Sequence, residues 1–318
     1  MANQYTSIAT TPGLSDNTVK LMYDFAIGMV FRETSIYRQW TDKRPERVNG
    51  PAQTIQLQKQ DFFDTAAVTA AKTPLNEEQD VDSTKLPPTI TVNLTVNEYG
   101  AAVTKTKILR YFSFADVDAI AARTVGTHMA EVLDELVQDV MATGTQVLRA
   151  QNRASTVTVT ATDYIRATDV RKAVTKLRVN KVPDFNGFYM AGIHPHVIHD
   201  LREETGSGSW RVPSEYGTSQ AMIWNGEFGV FEGMRFVQNT RTRTALDGAS
   251  SGKVYRTWIL GREAIAEKVV EEPSSVVAPV IDKLQRFSTI GWYGVLGWCL
   301  YRDESIVRFE SSSSVAAL

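Results

Sequence analysis

From Thr89 to Asn97 polar and apolar residues alternate without a break, so that Ile90, Val92, Leu94 and Val96 fall on one side of an extended chain and Thr91, Asn93 and Thr95 on the other. This period of two predicts a strand with one covered face and one wet face. Thr54-Ile55-Gln56-Leu57-Gln58 alternates in the same way and predicts a second strand. Between them lie Pro74, Pro87, Pro88 and the acidic run Glu77, Glu78, Asp80 and Asp82. That connection is roughly thirty residues long, whereas most connections inside a compact domain have about 4 to 6. It is therefore expected to project from the body as a long hairpin. A two-stranded ribbon has too little core to hold itself up in water, so it needs a surface to rest on, and another subunit would supply one. The candidates for that contact are Ile55, Leu57, Phe62, Phe63, Ile90, Val92, Leu94 and Val96.

Elsewhere the pattern turns helical. Val19, Met22, Tyr23, Ala26, Met29 and Val30 recur at three- and four-residue steps and predict an amphipathic N-terminal helix over Asp16–Glu33, capped by Ser15 or Asp16. The strongest stripe follows the Ser-x-x-Asp pattern of Ser113 to Asp116: Val117, Ile120, Ala121, Val125, Met129, Val132, Leu133, Leu136, Val137, Val140 and Met141. It predicts one helix of about 28 residues and about 42 Å, more than twice the usual length, with Gly144 as its stop. Beyond it the pattern is mixed. Thr156–Thr160 reads as a short strand, Thr168 as the cap of a helix carrying Val170, Ala173, Val174 and Leu177, and Gly187–Ile193 as a buried strand. His194-Pro195 opens a further helix with proline at its first position. Gly206-Ser207-Gly208-Ser209 predicts a flexible loop, and Gly229–Gln238 and Val254–Leu260 predict strands, with a polar turn at Asp247–Gly252. Thr289–Leu300 and Ser305–Glu310 read as extended before a Ser-rich tail. The class is α+β.

Composition narrows the function. At 318 residues, 43% hydrophobic and 22% charged, the chain can bury a substantial core. A net charge of -2 excludes a dedicated basic nucleic-acid reader, so contact with DNA is expected to be weak and non-specific. Cys299 is the only cysteine, which leaves no disulfide framework and suits a reducing cytoplasm. The N-terminal residues have neither a basic region nor an apolar run of the secretory kind. Ser288–Tyr301, the longest nearly uncharged stretch, falls short of the roughly 20 residues a spanning helix needs.

Three groups of residues could suggest chemistry. Gly248-Ala249-Ser250-Ser251-Gly252 fits the Gly-x-Ser-x-Gly pattern of a nucleophile elbow, but a strand follows it where a helix is required, so a hairpin turn is expected. His194, His196 and His199 lie close in sequence beside Asp200, yet their spacing does not place all three on one helix face, and no metal site is assigned. Trp292, Tyr293, Trp298 and Tyr301 are interleaved with Ile290, Val295 and Leu296 and are expected in the core rather than on a base-stacking platform. No catalytic residue, cofactor site or metal ligand is expected.

The order of elements resembles the fold of tailed-phage major capsid proteins, shared with encapsulins and the herpesvirus capsid floor. Ile193-His194-Pro195-His196-Val197-Ile198-His199-Asp200-Leu201-Arg202 looks like the strand-to-helix junction of one branch of phage capsid proteins. Gly229-Val230-Phe231-Glu232-Gly233-Met234-Arg235-Phe236-Val237 looks like the same branch's strand pair, and Ile259-Leu260-Gly261-Arg262-Glu263-Ala264 and Ser288-Thr289-Ile290-Gly291-Trp292 complete the series. The resemblance implies an N-terminal arm over 1–53, an extended hairpin loop over 54–107 and a peripheral domain over 108–164 with a spine helix at 114–142. It further implies an axial domain over 165–282 and a return to the peripheral domain over 283–318. It also implies hexamers and pentamers in an icosahedral head around double-stranded DNA, assembled in the bacterial cytoplasm. Portal and cement proteins are further partners on this reading. No long helical extension precedes the arm, so a separate scaffolding protein, or none, would guide assembly. Two alternatives stay open: an encapsulin-like shell around an enzyme cargo, and a cytosolic metal-dependent hydrolase built on His194, His196 and His199.

Overall fold

A computed structural model of the chain describes residues 36–44, 53–60, 86–113, 117–204, 227–278, 282–284 and 286–317, with isolated positions between 71 and 80. The expected N-terminal helix, the Gly206–Ser209 loop and the residues Phe62 and Phe63 lie outside them. In chain order the elements are β1 (Asp42–Lys43), β2 (Thr54–Gln60), β3 (Thr89–Thr95), β4 (Asn97–Thr106), α1 (Lys107–Phe112), α2 (Val117–Ala142), β5 (Val147–Arg149), α3 (Ala167–Val179), β6 (Tyr189–Ile193) and α4 (Pro195–Glu203). They continue with β7 (Glu227–Phe231), β8 (Met234–Gln238), β9 (Thr244–Ala245), β10 (Val254–Leu260), β11 (Ile265–Ala278), β12 (Phe287–Leu300) and β13 (Ile306–Ser311).

Two sheets carry the molecule. The first has the order β1-β11-β12-β4; the second runs β5-β13-β10-β6-β8-β7, with β9 also paired to β10. On the first sheet lies α2, the helix that the long apolar stripe predicts, 26 residues in length. Val125, Met129, Leu133, Val137 and Met141, each four residues from the next, form its buried row. They pack with Trp258, Trp292, Leu296, Trp298 and Ile306 in one cluster. Ridges of this kind bury a continuous stripe, and each buried tryptophan removes some 150–250 Å² from water, worth several kcal/mol before entropy is charged. Ile120, counted in the stripe from its spacing, is exposed, because the sheet beneath does not cover that turn. The second cluster joins α3 and α4 to the larger sheet through Val170, Val174, Leu177, Val197, Leu201 and Phe236.

The segment 36–44 is stitched between these layers. Tyr37 and Trp40 are buried against α2, edge to face with ring centroids 5.4 Å apart. The Tyr37 hydroxyl bonds to the Thr242 hydroxyl at 2.7 Å. Arg38 Nε donates to the fully buried Glu267 at 2.6 Å and Nη2 to Glu272 at the same distance. Such a pair repays its desolvation only when both partners stay in place; removing one leaves a buried charge at a cost of about 3–5 kcal/mol. Gln138, also buried, fixes the other side of α2: its amide donates to the Arg241 carbonyl while its oxygen accepts from Trp258 Nε1 and the Arg243 amide.

Several expectations are corrected by this arrangement. Thr156–Thr160 is not a strand: Thr156–Thr158 is a 3₁₀ turn, held by the Thr158 hydroxyl, which donates to the Ser155 carbonyl and accepts from its amide. Helix α3 begins at Ala167 with Arg166 as its N-cap, so Thr168 is already inside the first turn. β4 is not part of a free loop, since it pairs with β12 from Asn97↔Leu296 to Thr106↔Phe287. β13, placed by its order in a peripheral return, pairs with β10 and β5 in the larger sheet, while β11 leaves the axial strands and joins β12. Trp292 and Trp298 are core residues, whereas Tyr293 is only half buried, its cross-strand partners putting it on the face away from α2.

β6 meets Tyr37 through Gly192, where an added Cβ would fall inside the Tyr37 ring. That ring is fully buried and hydrogen-bonded, so it cannot swing aside. Gly192→Ala is expected to destabilise the subunit by about 1–3 kcal/mol through overpacking and to lower Tm by several degrees. A thermal melt unchanged from wild type would show that Tyr37 is not the wedge described.

Candidate assembly surfaces

The hairpin forms as the alternation requires, β2 and β3 pairing antiparallel from Thr54↔Thr95 to Gln60↔Thr89. Its root does not wait for a neighbour. Leu94 is 1% exposed and, with Val96, sits in a cluster with Ala266 and Cys299, against which Ile55, Leu57 and Val92 also pack. The covered face is thus covered largely by the chain itself, and Leu94 and Val96 are corrected from contacts between chains to contacts within one. The same burial pushes the Cys299 thiol up to about 11. Ile90, further from the root, is 44% exposed. Polar pins continue outward: the Tyr301 hydroxyl donates to the Gln58 carbonyl at 3.3 Å, and Lys59 pairs with Glu304 at 3.2 Å.

At the other end of β4 stands a surface that the alternation and the long stripe gave no sign of. In α1, Ile108 is 70% exposed and Phe112 86%, and Leu109, Tyr111, Ile120 of α2 and Phe287 of β12 are exposed around them. The Thr106 hydroxyl caps α1 by accepting the Leu109 amide, and Asp118 ties it to α2 through ion pairs with Lys105 and Arg110. Single exposed apolar residues are ordinary, but a cluster of this kind marks a contact surface. Its signal in the sequence was the short apolar run Ile108-Leu109 with Tyr111-Phe112, without strand alternation and too short to register as an amphipathic helix.

The histidines are arranged as structural groups. His194 is the N-cap of α4 and its Nδ1 accepts from the His196 amide at 3.2 Å. His196 Nδ1 bonds to the Tyr255 hydroxyl at 2.8 Å, and the His194 and His196 rings meet edge to face at 4.7 Å. His199 lies instead toward Asp200 and Glu203. Among the described residues no group of three or more His, Cys, Asp or Glu side chains could hold a metal ion. Asp200 is used by the C-terminal segment, accepting the amide and hydroxyl of Ser314. Ser250 sits in the connection that closes the β9–β10 hairpin, with the Ala249 amide bonded to the Val159 carbonyl at 2.8 Å. That is the turn expected of it, not an elbow between strand and helix.

A long helix laid on one sheet, a second sheet continuous with the first, and a hairpin rooted on their common edge define a capsid fold. Solved structures share it. The "Capsid of Ralstonia phage GP4" superposes with a TM-score of 0.70 at 13% identity, covering 89% of this chain and 92% of that one. The structure entitled "Mycobacterium phage Che8" gives 0.62 at 16% identity over 87% and 91%, and the cyanophage Pam1 capsid 0.63 at 14% over 86% and 88%. No curated protein matches the chain in sequence. The family model of the phage capsid protein matches residues 56–298, and the chain belongs to that family. It is a major capsid protein, a structural subunit of the head shell of a tailed phage.

Burial, with His196 and Lys253 nearby, pushes the His194 imidazole from its ordinary 6.5 down to about 4. Between those values the unfolded chain binds a proton that the folded one refuses, so stability contributed by neutral His194 is complete above about pH 6.5 and is lost on acidification towards 4. His194→Asn keeps an N-cap acceptor and removes the titration; melts at pH 7 and pH 4.5 are expected to differ less for this variant than for wild type, and an equal difference would disprove the linkage. Leu94→Asp is expected to abolish the folded subunit by burying an unpaired carboxylate, whereas Ile90→Asp should leave its melt within about 0.5 kcal/mol of wild type, as surface changes usually do. A soluble Leu94→Asp subunit with a normal melt would remove the hairpin root from the core.

Proposed function

We propose that the subunit assembles into hexamers and pentamers that close into an icosahedral head around double-stranded DNA, with Ile55, Leu57, Phe62, Phe63, Ile90 and Val92 helping the hairpin lie on a neighbouring subunit. The observation that carries this reading is the pairing of two unsatisfied features on one chain: a hairpin anchored only at its root, and the exposed apolar residues of α1 at the far end of the same sheet. Each contact is modest, and a closed, repeated arrangement multiplies it. DNA carries its own counterions, so a near-neutral subunit suits an inner wall that contacts phosphates without reading sequence. A portal, a cement protein and a scaffolding protein are the partners of such a shell, and the bacterial cytoplasm is where it would form. No helix among the described residues is long and apolar enough to cross a membrane. We assign the chain no catalytic role, since His194, His196 and Ser250 are committed to a cap, a tyrosine bond and a turn.

Mass photometry of the purified protein tests the reading. Hexamers or megadalton particles are expected, and Ile90→Asp should lower their yield while leaving the subunit folded. A wild-type protein that stays monomeric at high concentration overturns the proposal.

A further inference from the structure

The two ends of the first sheet differ in charge as well as in shape. Residues 61–88, the distal part of the hairpin, carry Asp61, Asp64, Glu77, Glu78, Asp80 and Asp82 against Lys72 and Lys85, six acids to two bases. At the α1 end, the described charged residues of β4's last turn, α1, the first turns of α2 and the loop before β12 are Lys105, Lys107, Arg110, Arg123, Lys283 and Arg286 against Asp118 and Asp282. That is six bases to two acids. Both surfaces also hold apolar residues: Phe62, Phe63, Val68 and Leu75 in the first, Ile108, Leu109, Phe112 and Ile120 in the second.

Within one subunit these surfaces cannot meet. β4 has ten residues, about 33 Å at the rise of a strand, and α1 follows its last residue while the hairpin root precedes its first. The hairpin also leads the wrong way. Its root at Thr95 lies against Gly297 of β12, Gln58 reaches Tyr301 beyond that strand's end, and Lys59 reaches Glu304. Each step outward along the hairpin is a step further from Phe287 and α1. An acidic apolar surface and a basic apolar one at opposite ends of a rigid sheet make a head-to-tail contact, the kind that closes into rings when the rotation between copies permits.

We propose that residues 61–88 of one copy dock on the α1 platform of the next copy, with the apolar residues of α1 as the covered centre and the charges around it setting the pairing. The proposal rests on the assembly reading above and names the receiving surface. Opposite charge favours encounter and register, and like charge at the same place is strongly disfavoured. Desolvated apolar centres with charged rims are the usual anatomy of such contacts.

Charge exchange tests it. The hairpin variant carries Glu77→Lys, Glu78→Lys, Asp80→Lys and Asp82→Lys; the platform variant carries Lys107→Glu, Arg123→Glu and Lys283→Glu, leaving Arg110 and its bond to Asp118 alone. By mass photometry each is expected to lower particle yield by about tenfold or more, and the chain carrying both sets is expected to recover it. Melts of the unassembled subunits establish that the variants fold. If wild type assembles and either variant assembles normally, or if folded chains carrying both sets fail to recover, the docking is wrong while the capsid reading stands. If wild type itself never assembles, the capsid reading falls first. Should a reversal variant fail to fold, Glu78→Cys with Arg123→Cys under oxidation gives a second readout: disulfide-linked ladders between chains in assembled particles support the contact, and their absence overturns it.

Discussion

One continuous two-stranded ribbon holds both sheets together. β10 and β13 pair antiparallel up to Leu260↔Ile306, and β11 and β12 take over at Ile265↔Leu300 and continue to Ala278↔Thr289. Between the two ladders the chain bends, but the bonds do not lapse: the Gly261 amide reaches the Ser305 carbonyl at 2.8 Å and the Tyr301 amide reaches the Ala264 carbonyl at 2.9 Å. Glu263 takes a positive φ of 60° at this bend, an unfavourable state for a residue with a side chain and one that surrounding structure must enforce. Every other strand of the two large sheets is added to an edge of this ribbon or to a strand so added. Its fixed register therefore fixes where α2, α3 and the hairpin sit.

Buried charge acts on this frame as a set of pins. Glu267 on β11 receives Arg38, and Glu310 on β13 receives Arg149 at 2.9 Å and the Thr156 hydroxyl at 2.7 Å. Asp163 accepts two bonds from Arg153 and the Thr160 amide, and the guanidinium and amide hold its carboxyl below the usual range against the pull of burial. None of these needs to add net stability, because desolvation offsets most of the attraction. Apolar burial supplies the energy, and the pins select one arrangement of segments that apolar packing alone would leave free to slide.

How much of this was legible depends on whether an element's own period carries its burial. The spine helix was, since one face of 26 residues is enough to declare it, and so were the hairpin strands and the His194-Pro195 helix start. β11 was not. Its middle reads Glu271-Glu272-Pro273-Ser274-Ser275, which looks like a loop, and the register shifts on both sides of Glu271 let the strand absorb the proline without losing its partner. The covering of the hairpin root was misread for a related reason. Alternation reports that Leu94 and Val96 are covered, but it says nothing about whether the cover comes from the same chain. The exposed residues of α1 went unnoticed because six residues make too short a window for a helical period to appear.

The root's attachment to its own body changes what the hairpin can do. A ribbon held only by a neighbour would take whatever direction the neighbour imposed, and two-stranded ribbons alone are too weak to resist. Here Leu94 and Val96 are packed beside Ala266 and Cys299, on the strands of the central ribbon. The bend that fixes the two sheets therefore also fixes the direction in which the hairpin leaves. A subunit built this way carries part of the geometry of its contacts within its own fold, so little orientational freedom remains to be lost when the next copy binds. Modest contacts then suffice for ordered growth, because the cost they must overcome has been met during folding.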